Sequence, residues 1–155
     1  MNSFAASRLV RPGSRERLYG MAGLDVESDW VQSGCYFHSA NVHIGQRSFI
    51  NHGCYFENVE RIEIGPDCAL GCFVAILTST HELGGHARRQ GDWIIRPVTV
   101  GAGCWIGTRV TILPGVVIGD GCVIAAGATV ASDCEPDGMY AGVPARRIRE
   151  LDDSD

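Results

Sequence analysis

Of the five histidines in this chain, His81 stands in the setting best suited to proton chemistry. It ends the segment Thr78-Ser79-Thr80-His81, directly before a stretch rich in glycine and charge that runs from Glu82 to Trp93. Imidazole titrates near neutral pH, so a partly buried histidine at such a rim can take a proton from a hydroxyl while that oxygen attacks an acyl group. A different chemistry would use histidines as ligands. His81 and His86 are five apart, and His43 or His52 supplies a third imidazole for a zinc ion with one position left to water. The seven cysteines contain no CxxC pair, and nothing in the sequence beside them predicts an activated thiolate, so thiol catalysis is the minority reading.

A period of six must position these groups. Ile44-Gly45, Ile64-Gly65, Leu70-Gly71, Val100-Gly101, Ile106-Gly107 and Ile118-Gly119 each open a hexad, and the series Val100, Ile106, Ile112, Ile118, Ile124, Val130 is unbroken. Fifth places hold Cys104, Val110, Val116, Cys122, Ala128 and Cys134, all small or aliphatic. A helix repeats at 3.6 residues and a half-buried strand at two, so a sustained six predicts a short strand plus a turn, three to a triangular coil. Cysteine then serves as a small inward hydrophobe, with Cys72 the exception, and the glycines let the chain bend at the corners. Register slips by one between Phe37 and Ile44 and by two between Phe56 and Ile64, which longer corners or bulges would absorb. Three hexads per coil put Asn51 and His81 on different faces of the prism.

The period also divides the chain. Residues 1–25 do not repeat, and Ser14 is a candidate cap for a short helix through Tyr19. Residues 26–135 form the β-helix domain, with a loop near 82–97 extruded from it, and 136–155 are a C-terminal extension. Composition bounds function further. Thirteen arginines, no lysine and 18 acidic residues give a formal charge of −5, which argues against general nucleic-acid binding. No apolar run approaches the length of a membrane span and no signal peptide is evident, so a cytoplasmic protein is expected.

Several motifs occur together and in order: Phe49-Ile50-Asn51, Thr78-Ser79-Thr80-His81, Pro97-Val98-Thr99-Val100-Gly101, Cys104-Trp105-Ile106-Gly107, Ile112-Leu113-Pro114-Gly115-Val116 and Ala141-Gly142-Val143-Pro144-Ala145-Arg146. On these the chain resembles the hexapeptide-repeat acyltransferases, in particular the maltose, galactoside and nodulation sugar O-acetyltransferases and the acyltransferases of surface-polysaccharide pathways. The resemblance implies an all-β fold, a left-handed parallel β-helix, assembled as a homotrimer with sites between subunits. It implies transfer of acetyl from acetyl-CoA, with no metal, to a hydroxyl of a sugar or glycan. By position, His81 matches the general base, Asn51 an acceptor-holding and catalytic residue, Asp92 a carboxylate that orients the histidine, and Trp93 an acceptor-facing side chain. Trp105, Gly107, Thr108, Ala125 and Ala126 match the thioester and pantetheine groove, and Arg146 and Arg149 the nucleotide phosphates. Ala131-Ser132 departs from the Thr-Lys that relatives often carry, and the N-terminal segment is shorter than in the maltose and galactoside enzymes.

Readings from other classes compete with this one. The same coil carries the γ-type carbonic anhydrases, which would use the histidine set above; a non-catalytic β-helix module would need neither His81 nor the groove. Amine acceptors are also compatible with a histidine base.

Overall fold

The computed structural model describes residues 6–28 and 30–152. Within them the chain winds through about six turns of a left-handed parallel β-helix, the coil that the period of six predicts with the hand that the resemblance implies. The first face stacks Asp25–Val26, Val42–Ile44, Ile62–Ile64, Val98–Val100 and Val117–Ile118. Phe49–Ile50, Ala69–Leu70, Trp105–Ile106, Val123–Ile124 and Gly138–Gly142 form the second. Tyr36–Phe37, Tyr55–Glu57, Ala75–Leu77, Thr111–Ile112 and Thr129–Val130 form the third. Strands of two or three residues suffice because each pairs with the turns above and below, ~4.8 Å away, rather than with its chain neighbours.

First and fifth hexad places point inward. Ile44, Ile64, Val100, Ile106, Ile112, Ile118 and Ile124 are buried, as are Cys35, Cys54, Cys68, Cys104, Cys122 and Cys134. Each buried aliphatic side chain contributes roughly 1.5–3 kcal/mol, and the first turns of the coil add a stacked Phe37–Phe56 pair with centroids 4.6 Å apart. Two requirements, not one, account for the glycines. In the second place the limit is space: a Cβ on Gly65 would stand 2.8 Å from the backbone nitrogen of Ala102 in the next turn. In the fourth place the limit is backbone conformation. Gly53, Gly103, Gly115, Gly121 and Gly127 have positive φ, and so do Arg47, Asp67, Phe73 and Arg109 at the same hexad position.

The first two corners from the third face to the first, Phe37 to Ile44 and Phe56 to Ile64, are longer than the regular ones, and this absorbs both register slips. Buried Asn58 closes one of them, its Oδ1 accepting from the amides of His38 at 2.8 Å and Ser39 at 3.1 Å while its Nδ2 donates to the Ser39 carbonyl at 2.8 Å. Thr78 takes the equivalent place one turn later, and its hydroxyl accepts from the Glu60 amide at 3.1 Å. From this third copy of the same corner the extruded segment departs.

The helix α1, Pro12–Met21, begins two residues before Ser14. Its N-cap is Arg11, with Pro12 in the first turn and no side-chain cap, because proline's missing N–H costs nothing there. Arg15 anchors the segment before the helix. Its buried guanidinium donates to the carbonyls of Val31 at 3.1 Å, Ser7 at 3.0 Å and Val10 at 2.6 Å. At the other end the parallel ladder runs on past Pro136, and Ala145–Glu150 folds back antiparallel on Gly138–Gly142. No helix among the described residues is long and apolar enough to cross a membrane.

Candidate active site

The segment after Thr78 is an antiparallel hairpin of Ser79–Leu83 with Gln90–Ile95. Its strands carry the strand-favouring Thr80, Trp93, Ile94 and Ile95, and Gly84-Gly85-His86-Ala87-Arg88 turns between them, with the Gly84 amide donating to the Arg89 carbonyl at 2.9 Å. It begins at Ser79, earlier than the predicted loop. His81 therefore stands on the hairpin itself and is exposed in the single chain, not partly buried at the coil rim.

Two hydrogen bonds define the imidazole. Nδ1 lies 3.1 Å from the Gly91 carbonyl, which can only accept, so Nδ1 carries the proton. Nε2 then holds the lone pair and accepts from the Gln90 side-chain amide at 2.9 Å. Trp93 pairs directly across from His81 and shares its face of the hairpin. Asp92 was expected to orient the histidine, but among the described residues no hydrogen bond joins the two. Two residues, Gly91 and Asp92, oppose Glu82 alone between the paired positions, and this bulge delivers the Gly91 carbonyl to Nδ1 instead.

Asn51 follows the strand Phe49–Ile50 at the edge between the second and third faces. Ladder hydrogen bonds place it in one column with Gly71, Gly107 and Ala125, so it occupies a second hexad place without the usual glycine. Its Oδ1 accepts from the His52 amide at 2.8 Å, which leaves the Nδ2 hydrogens for other partners. His81 leaves from the edge between the third and first faces. Within one chain, as expected from hexad counting, the two do not share a face.

Along the column of Asn51, Trp105, Gly107, Thr108, Ala125 and Ala126 line one depression of about 380 Å³. It adjoins a second of about 600 Å³, which shares Trp105 and is bordered by Arg149. Trp105 is 62% exposed at their junction. Arg146 lines neither; its guanidinium bonds to the carbonyl of Ala145 at 2.8 Å. Met139 and Val123 border both depressions, and sequence reasoning missed them because Val123 reads as another strand residue and Met139 lies beyond the regular repeat.

Neither of the other chemistries converges in the chain. Among the described residues, the group with ligand atoms close enough for one ion is Asp25, Glu27 and His43, and there His43 Nδ1 already lies 2.9 Å from Asp25. Among the described residues, His81 and His86 form no such group with His43 or His52. As for the thiols, pairing with Cys35 and then burial push Cys54 up, pairing with Cys68 and then burial push Cys104 up, and burial holds Cys134 up at about 12. Cys35 and Cys68 shift down chiefly through those same thiol pairs and are buried in the coil, where no substrate reaches them.

Comparison with known proteins gives this geometry a family. Residues 97–132 match the model described as bacterial transferase hexapeptide (six repeats). Galactoside O-acetyltransferase of Escherichia coli K12 is 36% identical over 130 residues, covering 83% of this chain and 64% of that protein. Nodulation protein L of Rhizobium meliloti is 40% identical over 106 residues, covering 68% of this chain and 58% of that protein. The chain thus spans somewhat under two thirds of the curated relatives it matches. Among solved structures, a galactoside acetyltransferase in complex with coenzyme A superposes with a TM-score of 0.86 at 33% identity, covering 98% of this chain and 77% of that one. A maltose O-acetyltransferase from Clostridium difficile 630 gives 0.81 at 33% identity, with 90% and 75% covered. By repeat, coil and likeness to these proteins, the chain belongs to the hexapeptide-repeat acyltransferase family.

Proposed function

We propose that this chain is a cytoplasmic, acetyl-CoA-dependent O-acetyltransferase that modifies a hydroxyl of a sugar or glycan by direct transfer. The observation that carries the reading is the state of His81, whose Nδ1–H is bound to the Gly91 carbonyl. The basic lone pair is therefore on Nε2, and the Gln90 amide that now meets it marks where an acceptor hydroxyl would bind. His81 takes the hydroxyl proton as the oxygen bonds to the acetyl carbon. The carbon–sulfur bond then breaks, and the proton passes from the imidazolium to the departing thiolate. A backbone amide is assigned to the transient oxyanion. Asn51 holds the acceptor through its Nδ2 hydrogens, with Trp93 flanking it beside His81. In this reading the pantetheine arm lies beside Trp105 and over Gly107, Thr108, Ala125 and Ala126, whose small side chains permit close approach. Arg149, which borders the groove, serves the phosphates.

The positions of Asn51 and His81 support a homotrimer in which the hairpin of one copy reaches the groove of the next. Sedimentation combined with enzyme assay tests the assembly; an active monomer would overturn it. For the activity, the decisive experiment is a screen of sugar and glycan acceptors with acetyl-CoA, read by thiol release and by product mass. A gain of one acetyl on a hydroxyl is the expected result. Failure of acetyl-CoA to bind, or binding without transfer to any acceptor in the screen, would overturn the reading.

A further inference from the structure

A further cavity, of about 690 Å³, lies away from the groove, between the N-terminal segment and the start of the coil. Its polar lining comes from Arg8, Arg11, Arg15, Gln32, Ser33 and His52, without a carboxylate. That is unusual for a chain whose formal charge is −5. The charge is local: residues 6–17 contain Arg8, Arg11, Arg15 and Arg17 against the single acid Glu16. Arg15 is committed to three backbone carbonyls and fixes the segment in place. Arg8 and Arg11 are exposed at the cavity and have no ion-pair partner among the described residues. His52 Nδ1 meets the Ser33 hydroxyl at 3.0 Å, which leaves Nε2 for another partner. A smaller cavity of about 320 Å³ continues from it past Arg8, Ser33 and His52 to Phe73.

His52 is the residue after Asn51, and its amide is hydrogen-bonded to the Asn51 side chain. The cationic cavity is therefore tied directly to the residue assigned to hold the acceptor. We propose that it binds an oxyanion carried by the acceptor, so that the substrate is an acidic sugar bearing phosphate or carboxylate rather than a neutral glycoside. Two guanidinium groups suit either oxyanion, because each offers paired N–H donors in a planar fork. This inference rests on the acetyltransferase reading for the word substrate, but not for the binding of an anion.

The test has a kinetic and a binding arm. In the first, acetyl transfer is measured for a neutral methyl glycoside, the matching sugar phosphate, a nucleotide-diphosphate sugar and a uronic acid, with wild type, Arg8→Gln and Arg11→Gln. Kinetic preference for at least one acidic acceptor by tenfold or more is expected. Each variant should lose about tenfold in kcat/KM for that acceptor while acetylating the neutral glycoside at the wild-type rate. The rank of phosphate, diphosphate and carboxylate identifies the source of the anion. In the second arm, calorimetric titration with inorganic pyrophosphate and with glucuronate should show binding by wild type that weakens in both variants. Acetylation that ignores acceptor charge would overturn the acidic-substrate proposal and leave the transferase standing. Arg8- and Arg11-dependent anion binding without acetyl transfer would remove the transferase and keep the site. No anion binding, or binding untouched by both substitutions, would remove the site.

Discussion

Asn51 and His81 leave the coil at different edges and one turn apart. Asn51 closes the second-face strand Phe49–Ile50, whereas His81 rides on the hairpin that departs after the third-face strand Ala75–Leu77. The groove of Trp105 and Gly107 runs along the edge of Asn51, not of His81. A single chain thus presents the amide proposed to hold the acceptor beside the proposed thioester path, and the proposed base elsewhere. Two copies brought edge to edge would supply both.

Substituting His81→Ala should lower turnover by ~10²-fold or more, the usual scale for losing a general base. His81 is exposed and its two hydrogen bonds lie within the hairpin, so thermal unfolding should be unchanged. Thiol release with acetyl-CoA and a competent acceptor is the measurement, and near-wild-type turnover would remove His81 from the role of base.

Trp105→Ala should act on the cosubstrate. The indole is exposed at the junction of the two depressions and packs little in the free chain. Its loss is expected to raise KM for acetyl-CoA by about tenfold, as for an aromatic contact surface made only with ligand, while kcat falls less. Steady-state kinetics at saturating acceptor would separate the two; a fall in kcat alone would point to a different role.

The two glycine places predict different costs. Gly65→Ala drives a methyl to within 2.8 Å of backbone in the next turn, and overpacking of this kind costs about 1–3 kcal/mol. Gly103→Ala meets nothing within 4 Å but must adopt φ +67, for roughly 1–2 kcal/mol. Denaturant melts of both variants should show destabilisation, and Gly103→Asn should recover part of the loss because asparagine tolerates the left-handed region. Equal stability of Gly103→Ala and wild type would contradict the conformational account.

Cysteine labelling reports the inward column. Six thiols are buried and only Cys72 is half-exposed, while burial holds the Cys134 thiol up at about 12. An alkylating reagent at neutral pH should therefore add one label to the folded chain, on Cys72, and seven in denaturant. Rapid labelling of Cys104 in the folded protein would show that the coil opens or that the column is misassigned.

The sequence alone determined the coil, because stacking turns impose one demand at every sixth residue and Ile44, Ile106, Cys104 and Cys122 meet it by side-chain size. It also singled out His81, Trp105 and Arg149, whose residue types match a known pattern. What it could not determine was which atoms meet. Gly91 rather than Asp92 holds Nδ1 of His81 because a bulge in the hairpin presents a backbone carbonyl, and backbone carbonyls carry no sequence signature. Arg146 and Arg149 look alike in the chain, yet only Arg149 borders the groove once the final strand folds back. The cationic cavity was equally invisible, since His52 lies far in sequence from Arg8 and Arg11 and becomes their neighbour only when Arg15 pins the N-terminal segment to the coil. Repeating contacts can be read from periodicity; contacts made once, between an insertion or terminus and the coil, exist only in the tertiary structure.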